Sequence, residues 1–187
     1  NLADGSVKVT YHYTGNFDES DTNKATARTM YQQGVQVIFA AGGSVGKSVM
    51  SAAAESDALV IGVDVDQRYD SKTVITSATK GLSASVISVL EAIYKDDWAT
   101  YSGKTTFFNA TNEGVGLPTT VIGDKKANAF DRFATFNKAA YEKVFATLAN
   151  GSVKPLRTIK VAGSSGVATA SELTSALGLM KVMVTTR

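Results

Sequence analysis

The chain has 187 residues, 44% of them hydrophobic and 19% charged, which suits one domain, or one domain with a piece of another, around a sizeable core. Nineteen Lys and Arg against 17 Asp and Glu leave a net charge of +2 with no basic cluster, so nothing marks a nucleic-acid surface. The lack of Cys removes thiol catalysis, disulfides and thiolate metal sites; one His (His12) cannot form a two-histidine metal site, and no apolar run nears the ~20 residues of a membrane helix.

Along the chain, VKVTYHY (7–13) reads as a strand, rich in β-branched and aromatic residues. Residues 20–33 read as a helix with Ser20 as N-cap, Asp21 in the first turn and Gly34 as the stop. VQVIFAA (35–41) is a near-continuous apolar run, the pattern of a strand buried on both faces. A helix over 44–56 follows, then ALVIGV (58–63) as a second buried strand and KTVITS (72–77) as a shorter one. Residues 82–98 read as a helix with Leu82, Val86, Val89, Leu90 and Ile93 on one face. The remainder predicts a strand at 104–108, an irregular stretch over 109–123, an amphipathic helix over 130–149 and a weaker tail with segments at 156–161, 169–177 and 181–185.

Strands alternating with helices predict an α/β fold: a mostly parallel sheet with helices on both faces, in which 7–13, 35–41 and 58–63 are neighbouring strands. Ligands bind such sheets at the carboxyl ends of the strands, which directs attention to the residues after Tyr13, Ala41, Val63 and Ser77.

Four stretches there carry chemistry. AAGGSVGKS (40–48) nearly matches G-x-x-x-x-G-K-[ST], with Ala41 in the first Gly position, a strand before and a helix after. That loop would aim backbone N–H groups, Lys47 and Ser48 at phosphates, with Asp64 at the end of the next strand to hold magnesium. Its other use is a Gly-rich turn at Gly42 and Gly43 that lets the chain approach a neutral ligand. IGVDVDQ (61–67) puts Asp64 at the sheet's carboxyl edge, with Asp66 and Gln67 beyond; a carboxylate there can accept from two vicinal hydroxyls, as in ribose recognition, or cap its own loop. TSATKG (76–81) places Lys80 after another strand, and TGNFD (14–18) places Phe17 where an aromatic face can meet a planar base or pack in the core.

YTGNFDE, QGVQVIFAAGGSVGKSV, ALVIGVDVDQ, TVITSATKG and NEGVGL occur together in one order and spacing, over about residues 7–117 and more loosely to 149. In this the chain resembles the basic membrane lipoproteins, purine-nucleoside-binding receptors that serve ABC transporters. The resemblance implies a type I periplasmic-binding-protein fold, two α/β lobes that close on a nucleoside, with no catalysis, no metal and no cofactor. It implies Asp64 on the ribose hydroxyls, Gly43 (with Gly42) as the close-approach glycine, Lys80 on base or ribose, and Phe17 at an aromatic position; Asp66 and Gln67 complete the candidate ligand set. The implied ligand is a nucleoside of adenosine, guanosine or inosine type, and the implied partner an ABC permease, outside the cytoplasm.

Family members are longer, and their early base-recognising segment and lipid-bearing Cys have no counterpart here. The expectation is therefore the carboxy-terminal part of a receptor: a ligand lobe over 1–76 and 104–150, a hinge and helix of the other lobe over 77–103, and an unassigned tail over 151–187. The surface left by the missing lobe would favour self-association. A P-loop hydrolase and the sensing domain of a regulator are the alternative functions.

Overall fold

The computed structural model describes residues 7–155 and, as backbone, 182–186. The chain divides into two compact units, Asn16–Lys154 and Asn1–Gly15 with Pro155–Arg187.

In the larger unit the first helix, α1, runs over Asp21–Gln32, opened by the Ser20 side chain accepting from the Asn23 N–H. Its buried residues Asn23, Ala27 and Tyr31 recur every fourth position, one face of a helix. The strand β2 (Val37–Phe39), helix α2 (Val45–Glu55), strand β3 (Leu59–Asp64) and strand β4 (Val74–Lys80) follow. After β4 come α3 (Leu82–Tyr94), the short strands β5 (Val115–Gly116) and β6 (Thr120–Val121), β7 (Asp124–Asn128) and α4 (Lys138–Ala149). The main sheet has the order β2-β3-β4-β5, parallel among the first three and antiparallel at β5, while β6 and β7 form a hairpin.

The core joins Ala27 and Tyr31 of α1 to Val45, Val49, Met50, Ala52 and Ala53 of α2 and to Val60 and Val74 of the sheet. Each such Val contributes ~1.5–3 kcal/mol by leaving water. Two polar staples sit in it. The Tyr31 hydroxyl donates to Leu59 O at 2.9 Å, and burial pushes its pKa up. The Ser48 hydroxyl donates to Ser20 O at 3.0 Å and accepts from Ser20 N at 2.9 Å, which ties α2 to the start of α1. Between Val60/Val74 and Ile61/Thr76 the β3–β4 register slips, with Ile75 as the extra residue.

In the smaller unit, β1 (Val7–Tyr11) pairs in parallel with β8 (Val182–Thr186). The expectation that residues 7–13 neighbour β2 and β3 is thereby corrected. VKVTY alternates apolar with polar side chains, unlike the near-continuous apolar run of a strand in the doubly covered centre of a parallel sheet.

Other expectations need revision. Residues 35–41 are not buried on both faces: β2 is the edge strand, with Val37 and Phe39 exposed. Residues 104–108 belong to no strand. The helix expected over 130–149 begins only at Lys138, because the Asn137 side chain caps it by accepting from the Ala140 N–H. Phe130, Phe133 and Phe136 have helical spacing but fold as turns around the buried Phe130 ring, 6.0 Å and 5.8 Å from the other two. The helix expected over 82–98 ends at Tyr94, and a separate 3-10 turn covers Trp98–Thr100. Its apolar residues Leu82, Val86, Ile87, Leu90 and Ile93 are all exposed. The segments at 156–161 and 169–177 lie outside the described residues.

Candidate functional site

A cleft of about 690 Å³ opens at the carboxyl ends of β2, β3 and β4. Three successive strand-to-loop transitions supply its floor: Ala41, Gly42 and Gly43 after β2, Val63 and Asp64 at the end of β3, and Thr79 and Lys80 at the end of β4. Phe17 and Phe39 form one apolar wall; Tyr141, Phe145 and Leu148 of α4 form another. The Tyr141 and Phe145 rings lie 5.5 Å apart, and the Tyr141 hydroxyl accepts from the Leu117 N–H at 3.1 Å, which fixes the ring beside the cleft.

The polar end of the cleft is an ion pair. Lys80 Nζ lies 2.6 Å from Asp64 Oδ1, with side chains 61% and 44% exposed, so both heads remain open to a ligand. The Asp64 backbone is unusual. Its φ is +70°, and the Val65 N–H donates to Val63 O at 2.8 Å across it, a γ-turn of the rare positive-φ kind. Strained turns of this type persist where surrounding structure holds them, often at functional sites. Gly43 has φ +58°, a conformation natural to glycine, and a side chain there would meet Phe17 at 3.6 Å.

Phe17, Gly42, Gly43, Asp64 and Lys80 thus converge on one cleft. Asp66 and Gln67 do not line it. The Asp66 carboxylate accepts from Arg68 Nε at 3.0 Å and pairs with Nη2 at 2.7 Å, both side chains being buried. Burial pushes the Asp66 carboxyl up, but the hydrogen bonds and charge of Arg68 outweigh it and hold the pKa below the usual carboxylate range. Arg68 continues to Ala129 O at 2.8 Å, pinning the 66–70 turn to the segment after β7. The Gln67 side chain accepts from the Val63 N–H at 2.8 Å.

The phosphate-loop reading is corrected here. The loop donors are turned inward: Val45 N–H donates to Gly42 O, Gly46 N–H to Gly43 O and Lys47 N–H to Ser44 O. The Ser48 hydroxyl is buried against Ser20, and Lys47 reaches outward to Glu19 at 4.0 Å. Three of the amides a phosphate would use, together with the Ser48 hydroxyl, are thus already engaged. A smaller depression of about 390 Å³ between the β6–β7 hairpin and α4 has its asparagines occupied as well, Asn137 capping α4 and Asn128 accepting from the Phe130 N–H. Among the described residues no cluster of His, Asp or Glu could hold a metal ion.

The sequence reading missed the α4 wall. Its signal was the i, i+4, i+7 stripe Tyr141, Phe145, Leu148, which reads equally as core.

This fold is shared with ABC-transporter solute-binding proteins. A crystal structure from Aeropyrum pernix K1 superposes with a TM-score of 0.61 at 20% identity, covering 79% of this chain and 47% of that one. A transcriptional activator of the comK gene from Bacillus halodurans has the same fold, with a TM-score of 0.60 at 15% identity over 77% of this chain and 47% of its own. The chain itself belongs to the Bmp family, the PnrA-like ABC transporter substrate-binding proteins, whose model matches residues 2–150. Basic membrane protein D of Borreliella burgdorferi (strain JD1) is 33% identical over 155 residues, 81% of this chain and 43% of that protein. The ABC transporter nucleoside-binding protein BmpA of Lactococcus lactis subsp. cremoris (strain MG1363) is 31% identical over 129 residues, 59% of this chain and 36% of its own. The chain spans less than half the length of these relatives.

Proposed function

We infer that this chain carries one half of a purine-nucleoside site in a non-enzymatic, extracytoplasmic receptor that delivers its ligand to an ABC permease. The observation that carries the reading is the Asp64–Lys80 pair, held 2.6 Å apart at the polar end of a cleft otherwise walled by aromatic and aliphatic side chains. A nucleoside has that polarity: a planar base with π-faces at one end and vicinal hydroxyls at the other. The Asp64 carboxylate accepts from the ribose hydroxyls, Lys80 donates to a ribose or base heteroatom, and Phe17 and the α4 rings flank the base. Gly42 and Gly43 let the backbone approach the ligand, and no phosphate is required. The name of the Lactococcus relative points the same way.

Calorimetric titration with adenosine, guanosine, inosine, their 2′-deoxy forms and a magnesium–nucleoside triphosphate tests this. Binding of ribonucleosides without magnesium, weaker binding of the deoxy forms and weaker binding still of the triphosphate are expected. Equal affinity for ribose and deoxyribose forms would remove the ribose role of Asp64, and magnesium-dependent triphosphate binding would reverse the reading.

A further inference from the structure

Strand β3 continues past its edge neighbour. Odd-numbered N–H groups of β3 face β2, as Leu59 shows by donating to Gln36 O, and β2 ends at Phe39, opposite Ile61. Ala40 O, the next acceptor along that edge, is taken by the Gly42 N–H at 3.0 Å as the chain turns into the glycine loop. Among the described residues, no strand therefore faces the Val63 N–H. It is satisfied by Gln67 Oε1 at 2.8 Å, a side-chain amide standing in for a missing strand carbonyl. The residue it holds immediately precedes Asp64, and the Val63 carbonyl closes the γ-turn around Asp64.

Gln67 is itself fixed from three sides. Its N–H donates to the buried Ser77 hydroxyl at 3.0 Å, its Nε2 reaches Asp70 Oδ2 at 3.4 Å, and the neighbouring Asp66 is locked by Arg68. Gly62 leaves the space for it: a Cβ there would come within 2.7 Å of both Gln67 Oε1 and Ser77 Oγ.

We propose that Gln67 is a positioning residue, which replaces the absent strand partner of Val63 and thereby aims the Asp64 carboxylate into the cleft. It does not line the cleft. Its consequence for recognition rests on the nucleoside reading above, whereas its effect on Asp64 does not. Gln67 would set how strongly the site distinguishes a ribose from a deoxyribose, because that distinction depends on the direction of one carboxylate.

The test uses the full chain as wild type, as Gln67→Met, which keeps length and loses the acceptor, and as Gln67→Glu with Asp70→Asn. The double variant keeps an acceptor for Val63 and exchanges donor for acceptor in the contact to residue 70. Three quantities are read in each: Val63 amide hydrogen exchange, the Asp64 carboxyl carbon shift by NMR, and the ratio of ribonucleoside to 2′-deoxyribonucleoside affinity. In Gln67→Met the Val63 amide should exchange faster and the Asp64 shift should move. The affinity ratio should fall by about tenfold, the size of one lost buried hydrogen bond. The double variant should restore all three. A folded Gln67→Met protein with unchanged Val63 exchange, Asp64 shift or affinity ratio overturns the proposal. If the wild type binds neither nucleoside, the ligand reading fails, and exchange and carboxyl shift alone decide whether Gln67 positions Asp64. Should Gln67→Met not fold, Ser77→Ala, which frees only the Gln67 backbone N–H, is read in the same three ways.

Discussion

Lys80 pairs with Asp64 at 2.6 Å, although the residue in register with Asp64 on β4 is Thr79. The left-handed turn at Asp64 swings its carboxylate across the strand ends to reach the following residue. Because both heads are roughly half exposed, the pair itself adds at most ~1 kcal/mol to folding. Its role is to hold an acceptor and a donor side by side before a ligand arrives. Lys80→Met should therefore leave the urea unfolding free energy within about 1 kcal/mol of wild type while nucleoside affinity falls about tenfold or more. A variant that unfolds more easily yet binds normally would assign Lys80 to structure.

Asp64 separates backbone strain from chemistry. Glycine accepts a positive φ and alanine does not, so Asp64→Gly should be more stable than Asp64→Ala by ~1 kcal/mol in denaturant titration. Both should lose about tenfold or more in ribonucleoside affinity, the size of one charge-assisted hydrogen bond lost from a half-exposed site. In both, the penalty for a 2′-deoxynucleoside should nearly vanish.

The parts of the fold that were legible in the sequence are those whose pattern is local. The apolar runs at 35–41 and 58–63, the Ser20 cap and the stop at Gly34 lead directly to α1, β2, α2 and β3. What was illegible depends on distant partners. Val7 pairs with Val182, a choice that no local window contains. The Phe130, Phe133 and Phe136 spacing imitates a helix, and the cap that interrupts it, Asn137, is an ordinary residue until its side chain is seen on the Ala140 N–H. At the cleft, strand ends pointed to Asp64, Lys80 and Gly43, because loop chemistry after a buried strand stands out. The γ-turn at Asp64 and the use of Gln67 as a strand substitute follow from where β2 stops, which sequence does not state.

Ser48 and Lys47 divide the former phosphate motif into a structural and a neutral half. Ser48→Ala removes the acceptor of the Ser20 N–H and one of the two donors to the Ser20 carbonyl, the other being the Lys24 N–H, and should cost ~1–2 kcal/mol in thermal or urea unfolding. Lys47→Ala, on an exposed side chain 4.0 Å from Glu19, should stay within about 0.5 kcal/mol. Magnesium–nucleotide should stabilise neither variant nor the wild type; a melting-temperature gain with the wild type that Lys47→Ala abolishes would restore the hydrolase reading.

Acid should unfold the chain through its paired carboxylates. Arg68 holds Asp66 below its ordinary range, and hydrogen bonds from Lys24 and Arg28 do the same for Glu55. A carboxyl whose folded pKa is depressed contributes stability that is present above its unfolded pKa, near 4, and is lost as pH falls through the folded value. Urea midpoints should be level from about pH 7 to 5 and decline below about pH 4. Asp66→Ala should cost ~3 kcal/mol at neutral pH, since it leaves the buried Arg68 without its carboxylate, and should show a shallower acid decline.

The exposure of the Asp64 and Lys80 heads, with Phe17 73% exposed beside them, also sets a time scale. A ligand resting on these strand ends alone keeps one side in water, so nothing has to open before it leaves. With small-molecule association near ~10⁷ M⁻¹s⁻¹ and a dissociation constant near ~100 μM, escape would take about a millisecond. Titration of the isolated chain should then move its amide NMR signals continuously instead of producing separate free and bound sets. Any slower escape has to come from surfaces that cover the exposed side of the cleft.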